Sequence, residues 1–238
     1  MLSLLPVAIL AGGLATRLRP LTERVPKSLL TVAGRPFIFH QLEMLRGQGV
    51  ERVVLCVGHL GEQVRASVGD GAIPGLTVSY SFDGRELLGT AGALKQALPL
   101  LGDEFFVLNG DSYLPCSLAA TQHAYRAAQR PALMTVLRND NRWDRSNVLY
   151  RDGELLDYDK RTPREDMRHI DYGLAVLSQA VFAPYRAARV LDLADLLRDL
   201  SRSGQLAAFE VSERFYEIGS PEGLRDAELF LSHRQGCA

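Results

Sequence analysis

Short apolar runs recur along the first half of the chain, and each is followed by a segment with helical spacing. The runs are VAIL at 7–10, RVVLCV at 52–57, LTVSYSF at 76–82 and FFVLN at 105–109. Strands that are apolar on both faces and alternate with helices are typical of a parallel sheet covered by helices on both sides. The pattern therefore predicts an α/β fold of the Rossmann-like, doubly wound kind, with a mostly parallel mixed sheet.

The segment PFIFHQLEMLRGQG predicts the first helix, because its apolar positions 37, 38, 42 and 45 repeat with helical spacing. Pro36 stands at its start, and Gly47 and Gly49 provide its end.

Beyond about residue 131 the pattern changes to PALMTVLR, a hairpin NVLYRDGELLDYD that turns at Asp152 and Gly153, and DYGLAVL. Helices are expected at 192–202 and 221–234, separated by the strand-like AAFEV. We expect 1–238 to form one domain, with the second half building one wall of a pocket.

The composition suits a globular domain of the cytoplasm. Of the 238 residues, 47% are hydrophobic, which is enough for a substantial core. The 27 basic and 28 acidic residues leave a net charge of −1, so no overall field favours nucleic acid or an anionic membrane. No apolar stretch approaches the roughly 18 residues of a membrane span, and the apolar N-terminus is interpreted as a buried strand. The cysteines are odd in number and far apart, which favours a reducing setting: Cys56, Cys116 and Cys237.

The first apolar strand is followed by a glycine-rich loop with an excess of positive charge. In LAGGLATRLRPLTERVPKSLLTVAGRP there are five basic side chains and one acidic side chain, that of Glu23. Clustered cations repel one another, so a bound anion best accounts for the loop. Gly12 and Gly13 let backbone N–H groups approach phosphate oxygens, while Arg17 and Lys27 supply a guanidinium and a compact ammonium. The spacing matches neither the P-loop nor G-x-G-x-x-G.

Two acidic residues lie where a divalent cation could bind. Asp111 directly follows FFVLNG, at the end of a predicted strand, and ligands of open α/β sheets bind beyond the carboxyl ends of the strands. Glu217 lies in a short aromatic strand within RFYEIGSPEG, just before a predicted helix. Carboxylate oxygens, together with phosphate oxygens and water, are suitable ligands for a hard cation. An Asp after a Gly is also a common turn former, so this interpretation depends on the pair.

Two further parts of the sequence indicate binding of a flat ring and of hydroxyl groups. In ELLGTAGALKQAL, Gly89 and Thr90 at a helix entry would let a base lie against the backbone, with the helix N-terminus favouring negative charge nearby. An ordinary glycine-rich N-cap explains that pattern equally well. Lys160, after the predicted hairpin, is a candidate phosphate contact. Polar or small residues suited to recognising sugar hydroxyls interrupt the later strands, at Asn147, Asp171 and Gly173.

These motifs, in this order, resemble those of the sugar-phosphate nucleotidyltransferase family: LAGGLATRLRPLTERVPKSLLTVAGRPFIFHQLEML, LLGTAGAL, NGD, YDK and YEIGSPEGL. Its members join a nucleoside triphosphate to a sugar 1-phosphate and release pyrophosphate. The chain is most similar to the D-glycero-D-manno-heptose 1-phosphate and mannose-1-phosphate guanylyltransferases, with the muramic-acid 1-phosphate uridylyltransferases close behind. The resemblance implies a fold of the nucleotide-diphospho-sugar transferase type, with a nucleotide-binding half at 1–130 and a sugar-binding half at 131–238.

The resemblance also implies roles for individual residues. Arg17 would contact the leaving pyrophosphate, Lys27 the reacting phosphates and Lys160 the sugar phosphate, while Asp111 and Glu217 would hold Mg²⁺. The expected catalytic residues are Arg17, Lys27 and Asp111. Taken with the arguments from residue chemistry, the expected nucleotide site comprises Leu10, Ala11, Gly12, Gly13, Ala15, Thr16, Arg17, Lys27, Asp83, Glu86, Gly89, Thr90, Asn109 and Gly110. The expected sugar-phosphate site comprises Asn147, Lys160, Asp171 and Gly173.

Two positions depart from the usual family pattern, and two others bear on the choice of base. Ala15 stands where Gly is common, so a positive φ there would cost about 1 kcal/mol. Glu217 replaces the more usual Asp and is one methylene longer. Guanine presents two neighbouring donors, and Asp83 or Glu86 would supply an acceptor. This favours GTP only weakly, because uracil could use backbone groups in the same turn.

We therefore expect a Mg²⁺-dependent cytoplasmic transferase acting on GTP and a sugar 1-phosphate of the heptose or mannose type, without nucleic acid or membrane partners. A homodimer is left open. The alternatives are a uridylyltransferase for a hexose or muramic-acid 1-phosphate, and a non-catalytic nucleotide-sensing module, which would be expected to lose Arg17, Lys27 and Asp111. A dinucleotide-binding oxidoreductase is disfavoured by the missing third glycine. A glycosyltransferase would place a second acid near the metal aspartate, whereas Ser112 and Tyr113 follow Asp111.

Overall fold

The computed structural model describes residues 3–14, 18, 20–69, 71, 73–185 and 190–235. In this part of the chain the α-helices are α1 (Phe37–Gly47), α2 (Gly61–Val68), α3 (Thr90–Leu101), α4 (Leu118–Ala128), α5 (Leu193–Arg202) and α6 (Pro221–Gln235). The strands are β1 (Val7–Leu10), β2 (Thr31–Val32), β3 (Arg35–Pro36), β4 (Arg52–Val57), β5 (Thr77–Phe82), β6 (Glu104–Asn109), β7 (Ser112–Tyr113), β8 (Ala132–Arg138), β9 (Val148–Arg151), β10 (Glu154–Tyr158), β11 (His169–Ser178), β12 (Leu206–Val211) and β13 (Tyr216–Glu217). Short 3₁₀ turns lie at Leu21–Glu23, Lys27–Leu29 and Gln179–Tyr185.

Nine of the described strands form a single sheet. Its main path is β10-β9-β11-β6-β1-β4-β5, and β8 and β12 extend it from β11. The pairs β1–β4, β1–β6, β4–β5 and β8–β12 are parallel, whereas β11 runs antiparallel to both β6 and β8. The predicted mostly parallel mixed sheet is confirmed. The sheet contains strands from both sides of residue 131.

The elements lie close to where the apolar pattern predicted them. Strands β1 and β4 have the predicted bounds, and β5 and β6 differ from the prediction by one residue each. The hairpin β9–β10 turns at Asp152 and Gly153, which both have positive φ, as the two-residue turn between twisted strands requires. Helix α5 begins after Asp192, whose carboxylate accepts a hydrogen bond from Ala194 N at 2.7 Å. Local signals therefore defined these boundaries.

The core lies on both faces of the sheet, because successive residues of a buried strand point to opposite sides. In β1, Val7 and Ile9 pack into a cluster that includes Leu42 of α1, while Ala8 packs into a cluster that includes Leu94 of α3. All five side chains have no exposed surface. Each large apolar side chain buried in this way contributes about 1.5–3 kcal/mol. The result is a rigid frame from which the loops at the strand ends project.

Candidate active site

The loops after β1 and β6 leave the sheet side by side. Leu10 pairs with Asn109 in the register of these parallel strands, and Gly110 N donates to Leu10 O at 3.0 Å. A Cβ at Gly110 would lie 2.6 Å from that oxygen, so only glycine fits there without a shift. A cavity of about 320 Å³ opens beyond these strand ends. The predicted meeting of the two polar loops is therefore observed.

This first cavity is lined by most of the residues expected to bind a nucleotide. The expected residues in its wall are Leu10, Ala11, Gly12, Gly13, Lys27, Asp83, Gly89, Thr90, Asn109, Gly110 and Asp111. Ala15, Thr16 and Arg17 lie outside the described residues, so their expected roles stay predictions. Glu86 is exposed and does not line this cavity as the described part of the chain forms it.

The reacting charges expected from the sequence converge at one point. Lys27 Nζ lies 2.8 Å from Asp111 Oδ2, and Ser112 Oγ donates to Asp111 Oδ1 at 3.2 Å. A Cβ at Gly219 would lie 3.4 Å from both Lys27 Nζ and Asp111 Oδ2, and it would overlap the carboxylate of Glu217. Two carboxylates and one ammonium thus surround the position that a Cβ at Gly219 would occupy.

Backbone pairing explains why the Asp111 and Glu217 side chains meet although 106 positions separate them in the chain. Strand β7 pairs with β13, which sets Ser112 opposite Glu217, and Ile218 N donates to Asp111 O at 2.9 Å. The Glu217 carboxylate folds back to accept hydrogen bonds from Gly219 N and from Ser220 Oγ, the latter at 2.8 Å. The extra methylene of this glutamate is accommodated by that fold-back.

The two glycines of the basic loop differ in what they do. A Cβ at Gly12 would lie 2.8 Å from Gly58 N, because the loops after β1 and β4 pack backbone against backbone. A Cβ at Gly13 would meet no described atom within 4 Å. Gly12 is therefore required for packing between loops, a reason the sequence did not reveal, while Gly13 faces the open cavity.

The turn before α3 is held in place by a segment far along the chain. Gly89 has a φ of +72°, and a Cβ there would lie 2.6 Å from Leu191 O. That carbonyl oxygen accepts hydrogen bonds from Ala91 N at 2.9 Å and Gly92 N at 3.0 Å. These two helix N-terminal amides therefore already donate to an acceptor within the chain, and the base-binding role expected for the turn stays a prediction. Thr90 Oγ1 likewise accepts from the backbone, at Leu193 N, 2.7 Å away.

Asp83 lies on the wall of the first cavity, next to the Gly89 turn. Its Oδ2 accepts a hydrogen bond from Leu88 N at 3.3 Å. Burial raises the pKa of Asp83, and the hydrogen bond from Leu88 opposes the shift. Cys56, a lining residue that the sequence did not suggest, is buried nearby, and burial followed by the charge of Asp83 raises the pKa of its thiol to about 12. Beside the Gly89 turn the wall thus offers the carboxylate of Asp83 as an acceptor, next to a protonated thiol.

A second cavity, of about 330 Å³, adjoins the first and shares Asn109, Asp111 and Lys160 with it. The four residues expected at the sugar phosphate all line it: Asn147, Lys160, Asp171 and Gly173. The register between β11 and β8 shifts between Asp171 and Ala175, which marks a β-bulge of the kind often found beside active sites. Of the four residues, Asp171 and Gly173 lie at this bulge, and Asn147 and Lys160 come from the two ends of the hairpin β9–β10.

Hydrogen bonds fix the polar floor of the second cavity. Asp171 N donates to Asn147 Oδ1 at 2.9 Å, and Asp171 Oδ1 accepts from Gly173 N at 3.0 Å. The pKa of Asp171 is raised, because the side chain is buried. The positive charge of Lys160 and the hydrogen bonds from Gly173 and Tyr158 oppose this increase. Gly173 has a φ of +94°, and a Cβ there would lie 3.2 Å from Asn109 Nδ2. These groups form a preorganised polar surface that suits hydroxyl-bearing ligands.

Aromatic and charged residues that the sequence analysis missed form the outer wall of the second cavity. The rings of Trp143 and Phe215 meet edge to face with centroids 6.0 Å apart. The Arg214 guanidinium lies 5.3 Å from the Trp143 ring and 5.0 Å from the Tyr216 ring, and it pairs with Asp226. The available signal was a single tryptophan among charged residues in RNDNRWDRSN.

Among the residues that the structure describes, no group of three or more His, Cys, Asp or Glu side chains is arranged to hold a metal ion. The Asp111 and Glu217 carboxylates form a pair, so phosphate oxygens or water would have to complete any coordination sphere.

None of the described helices has the length and apolar character needed to cross a bilayer.

Residues 7–145, more than half of the chain, match the family described as nucleotidyl transferase. The chain is 45% identical over 104 residues to N-acetylmuramate alpha-1-phosphate uridylyltransferase from Neisseria meningitidis serogroup B, a match that covers 43% of this chain and 45% of that protein. It is 26% identical over 216 residues to D-glycero-alpha-D-manno-heptose 1-phosphate guanylyltransferase from Campylobacter jejuni, covering 90% of this chain and 94% of that protein.

The structure is similar to that of HddC from Yersinia pseudotuberculosis, with a TM-score of 0.80 and 25% identity over 95% of this chain and 99% of that chain. A structure of HddC complexed with GMP-PN matches with a TM-score of 0.77 and the same coverage. The similarity therefore extends over almost the whole described fold.

Proposed function

The chain belongs to the nucleotidyl transferase family and has the fold of the nucleotide-diphospho-sugar transferases, and we propose that it joins a nucleoside triphosphate to a sugar 1-phosphate with release of pyrophosphate. The observation that carries the proposal is the junction of the two cavities at Asn109, Asp111 and Lys160. One cavity opens at the strand ends, the other has a polar floor, and the charged groups lie where they meet. Two anionic substrates need such a junction to react.

The reaction needs charge neutralisation more than proton transfer. A phosphate monoester has a second pKa of about 6, so the sugar 1-phosphate is already a charged nucleophile at neutral pH. Its oxygen would form a bond to the α-phosphorus of the triphosphate, and the bond from that phosphorus to pyrophosphate would break. Positioning and electrostatic stabilisation therefore supply most of the rate enhancement.

Lys27 and Lys160 supply the described cations at the junction. Lys27 Nζ, 2.8 Å from Asp111, is held in place to neutralise the reacting phosphates, and Lys160 would bind the sugar phosphate, because it lines both cavities. Arg17 remains our candidate for contact with the departing pyrophosphate on the basis of the family resemblance.

The residues present fit Mg²⁺. Asp111 and Glu217 provide the oxygen ligands that this cation prefers, and both carboxylates lie near the position that a Cβ at Gly219 would occupy. We propose that they hold the ion and that phosphate oxygens complete its coordination. When bound, it would offset negative charge on the transferred phosphoryl group. The β7–β13 pairing holds the two carboxylates in place, and Lys27 lies beside them through its contact with Asp111.

We propose GTP as the preferred triphosphate and a heptose or mannose type 1-phosphate as the acceptor. Asp83 offers a carboxylate to the two neighbouring donors of guanine, and the guanylyltransferase relative matches over 94% of its length. The uridylyltransferase relative, at 45% identity over a shorter span, favours UTP with a muramic-acid 1-phosphate as the second candidate. If the Asp83 carboxylate accepts hydrogen bonds from guanine, Asp83→Asn should lower kcat/KM for GTP more than for UTP.

A pyrophosphate-release screen tests the proposal. Four triphosphates would be combined with mannose, heptose, glucose and N-acetylmuramate 1-phosphates in the presence of Mg²⁺, with the nucleotide sugar identified by mass spectrometry. Turnover of GTP with a heptose or mannose 1-phosphate is the expected result. Turnover confined to UTP would reject the guanine assignment, and triphosphate binding without turnover of any pair would favour a non-catalytic sensing module.

A further inference from the structure

A buried glutamine of α1 contacts the backbone on both sides of Asp111. Gln41 has no exposed surface and lies between Ile38 and Leu42 of the apolar core. Its Nε2 donates to Asn109 O at 2.8 Å and to Ser112 O at 2.7 Å. One amide group therefore joins the last residue of β6 to the first residue of β7.

The turn that carries the Asp111 carboxylate is held from other directions as well. Gly110 N donates to Leu10 O at 3.0 Å, and Ile218 N donates to Asp111 O at 2.9 Å. Through the second of these bonds the turn is also tied to β13, which carries Glu217. The Gln41 amide is the side chain that anchors this arrangement to a helix, and so to the rigid core.

The carbonyl oxygen of the Gln41 side chain has no hydrogen-bond donor in the part of the chain that the structure describes. This oxygen, Oε1, is buried. A buried unpaired acceptor costs about 1–3 kcal/mol, which an apolar side chain of similar volume would avoid. The two hydrogen bonds from Nε2 offset this penalty by fixing the turn, and departures from local rules of this kind are expected at functional sites.

We propose that Gln41 is a positioning residue that sets the Asp111 carboxylate, and through β7–β13 the Glu217 carboxylate, for the transfer reaction. This inference rests on the proposed function. Gln41 lines neither of the two cavities described here, so it acts through Asp111 and not on the substrate. Side chains that orient the ligands of a metal typically change activity or metal affinity by 10–100-fold when removed.

The test compares Gln41→Met with Gln122→Met. Gln122 is also a buried glutamine that bridges backbone groups, donating to Ser3 O at 3.1 Å and accepting from Leu5 N at 2.8 Å, and it lines neither cavity. We expect Gln41→Met to lower kcat roughly 10–100-fold with an unchanged KM for the sugar 1-phosphate. Gln122→Met should lose thermal stability to a comparable extent and keep its kcat.

Amide hydrogen exchange gives a readout that does not depend on turnover. In Gln41→Met the amides of Gly110 and Ile218 should exchange faster than in the wild type, whereas in Gln122→Met they should not. If Gln41→Met does not fold, Gln41→Leu removes the amide donors with a smaller apolar side chain, and the same changes are expected.

Unchanged kcat and unchanged exchange at both amides in Gln41→Met would overturn the proposal, as would equal losses of kcat in the Gln41 and Gln122 variants. Failure of both Gln41 variants to fold, with Gln122→Met folded, would make the amide a purely structural element and also reject it. If the wild type turns over no substrate pair, the proposed function fails, and the exchange measurement still decides whether Gln41 holds the turn.

Discussion

Replacing Lys27 by alanine removes one of the two lysine ammonium groups described at the junction of the two cavities. Lys27 Nζ lies 2.8 Å from Asp111 Oδ2, and the two side chains are 22% and 32% exposed. At an effective dielectric constant of about 20, the direct attraction at this distance is about 6 kcal/mol. Desolvation and side-chain ordering offset most of it, so exposed pairs of this kind contribute only about 0–1 kcal/mol to stability.

The expected effect on the rate is larger than the effect on folding. In the transition state Lys27 would stabilise the charge of the reacting phosphates, which is greater than the charge of Asp111 that it pairs with in the absence of substrates. Losing one preorganised electrostatic contact typically lowers kcat by about 10²–10³-fold, or 2.7–4 kcal/mol. We therefore expect Lys27→Ala to melt within a few degrees of the wild type and to lose at least this factor in kcat.

Pyrophosphate release at saturating substrates measures this change, and calorimetry measures the melting temperature. Lys95→Ala is the matched control, because Lys95 also makes a 2.8 Å hydrogen bond, to Tyr185 O, and does not line either cavity described here. It should leave kcat unchanged. A Lys27→Ala variant with kcat close to that of the wild type would refute the reasoning.

Three further changes test other parts of the site. Gly219→Ala would place a methyl group against the carboxylates and the ammonium, so kcat should fall at least tenfold in the pyrophosphate assay without unfolding; normal turnover would contradict the convergence of charges there. Asp83→Asn should raise the melting temperature at pH 8. Burial raises the pKa of Asp83, so this residue stabilises the fold below its pKa in the unfolded chain, about 3.9, and that stabilisation is lost as pH rises through its pKa in the folded chain. That gain should vanish in melts near pH 4, and a gain independent of pH would argue against the shift. Gly89→Ala should destabilise the fold more than Gly204→Ala, since both glycines have positive φ but a Cβ at Gly204 meets no described atom within 4 Å. Equal melting temperatures for the two variants would mean that the Leu191 contact has no energetic weight.

Features with a local cause could be predicted from the sequence. Strands buried on both faces must be short apolar runs, so β1 and β4 were found with the correct bounds. The Asp152–Gly153 turn follows from the backbone conformation that a two-residue hairpin requires. Asp111 could be found because a carboxylate at a strand end lies at the edge where ligands of parallel sheets bind.

Contacts made by a distant segment could not be predicted from the sequence. Two N–H groups at the start of α3 donate to the carbonyl oxygen of Leu191, about a hundred positions later in the chain. Glu86, the alternative to Asp83 as an acceptor for the base, is exposed, and its role stays a prediction. Propensity and periodicity describe neighbours along the chain, and these contacts depend on how elements pack.

By itself, the amino-acid sequence determined the α/β class, the places along the chain where the main strands and helices form, and the family, because each depends on local pattern or on motifs that can be read directly. Only the tertiary structure decided that Gln41, in a helix interpreted simply as apolar, donates to the backbone around Asp111, and that Trp143 and Arg214 border the second cavity. The physical reason is that sheet order and strand register choose the partners of buried polar groups, and the spacing of residues along one chain does not contain that choice.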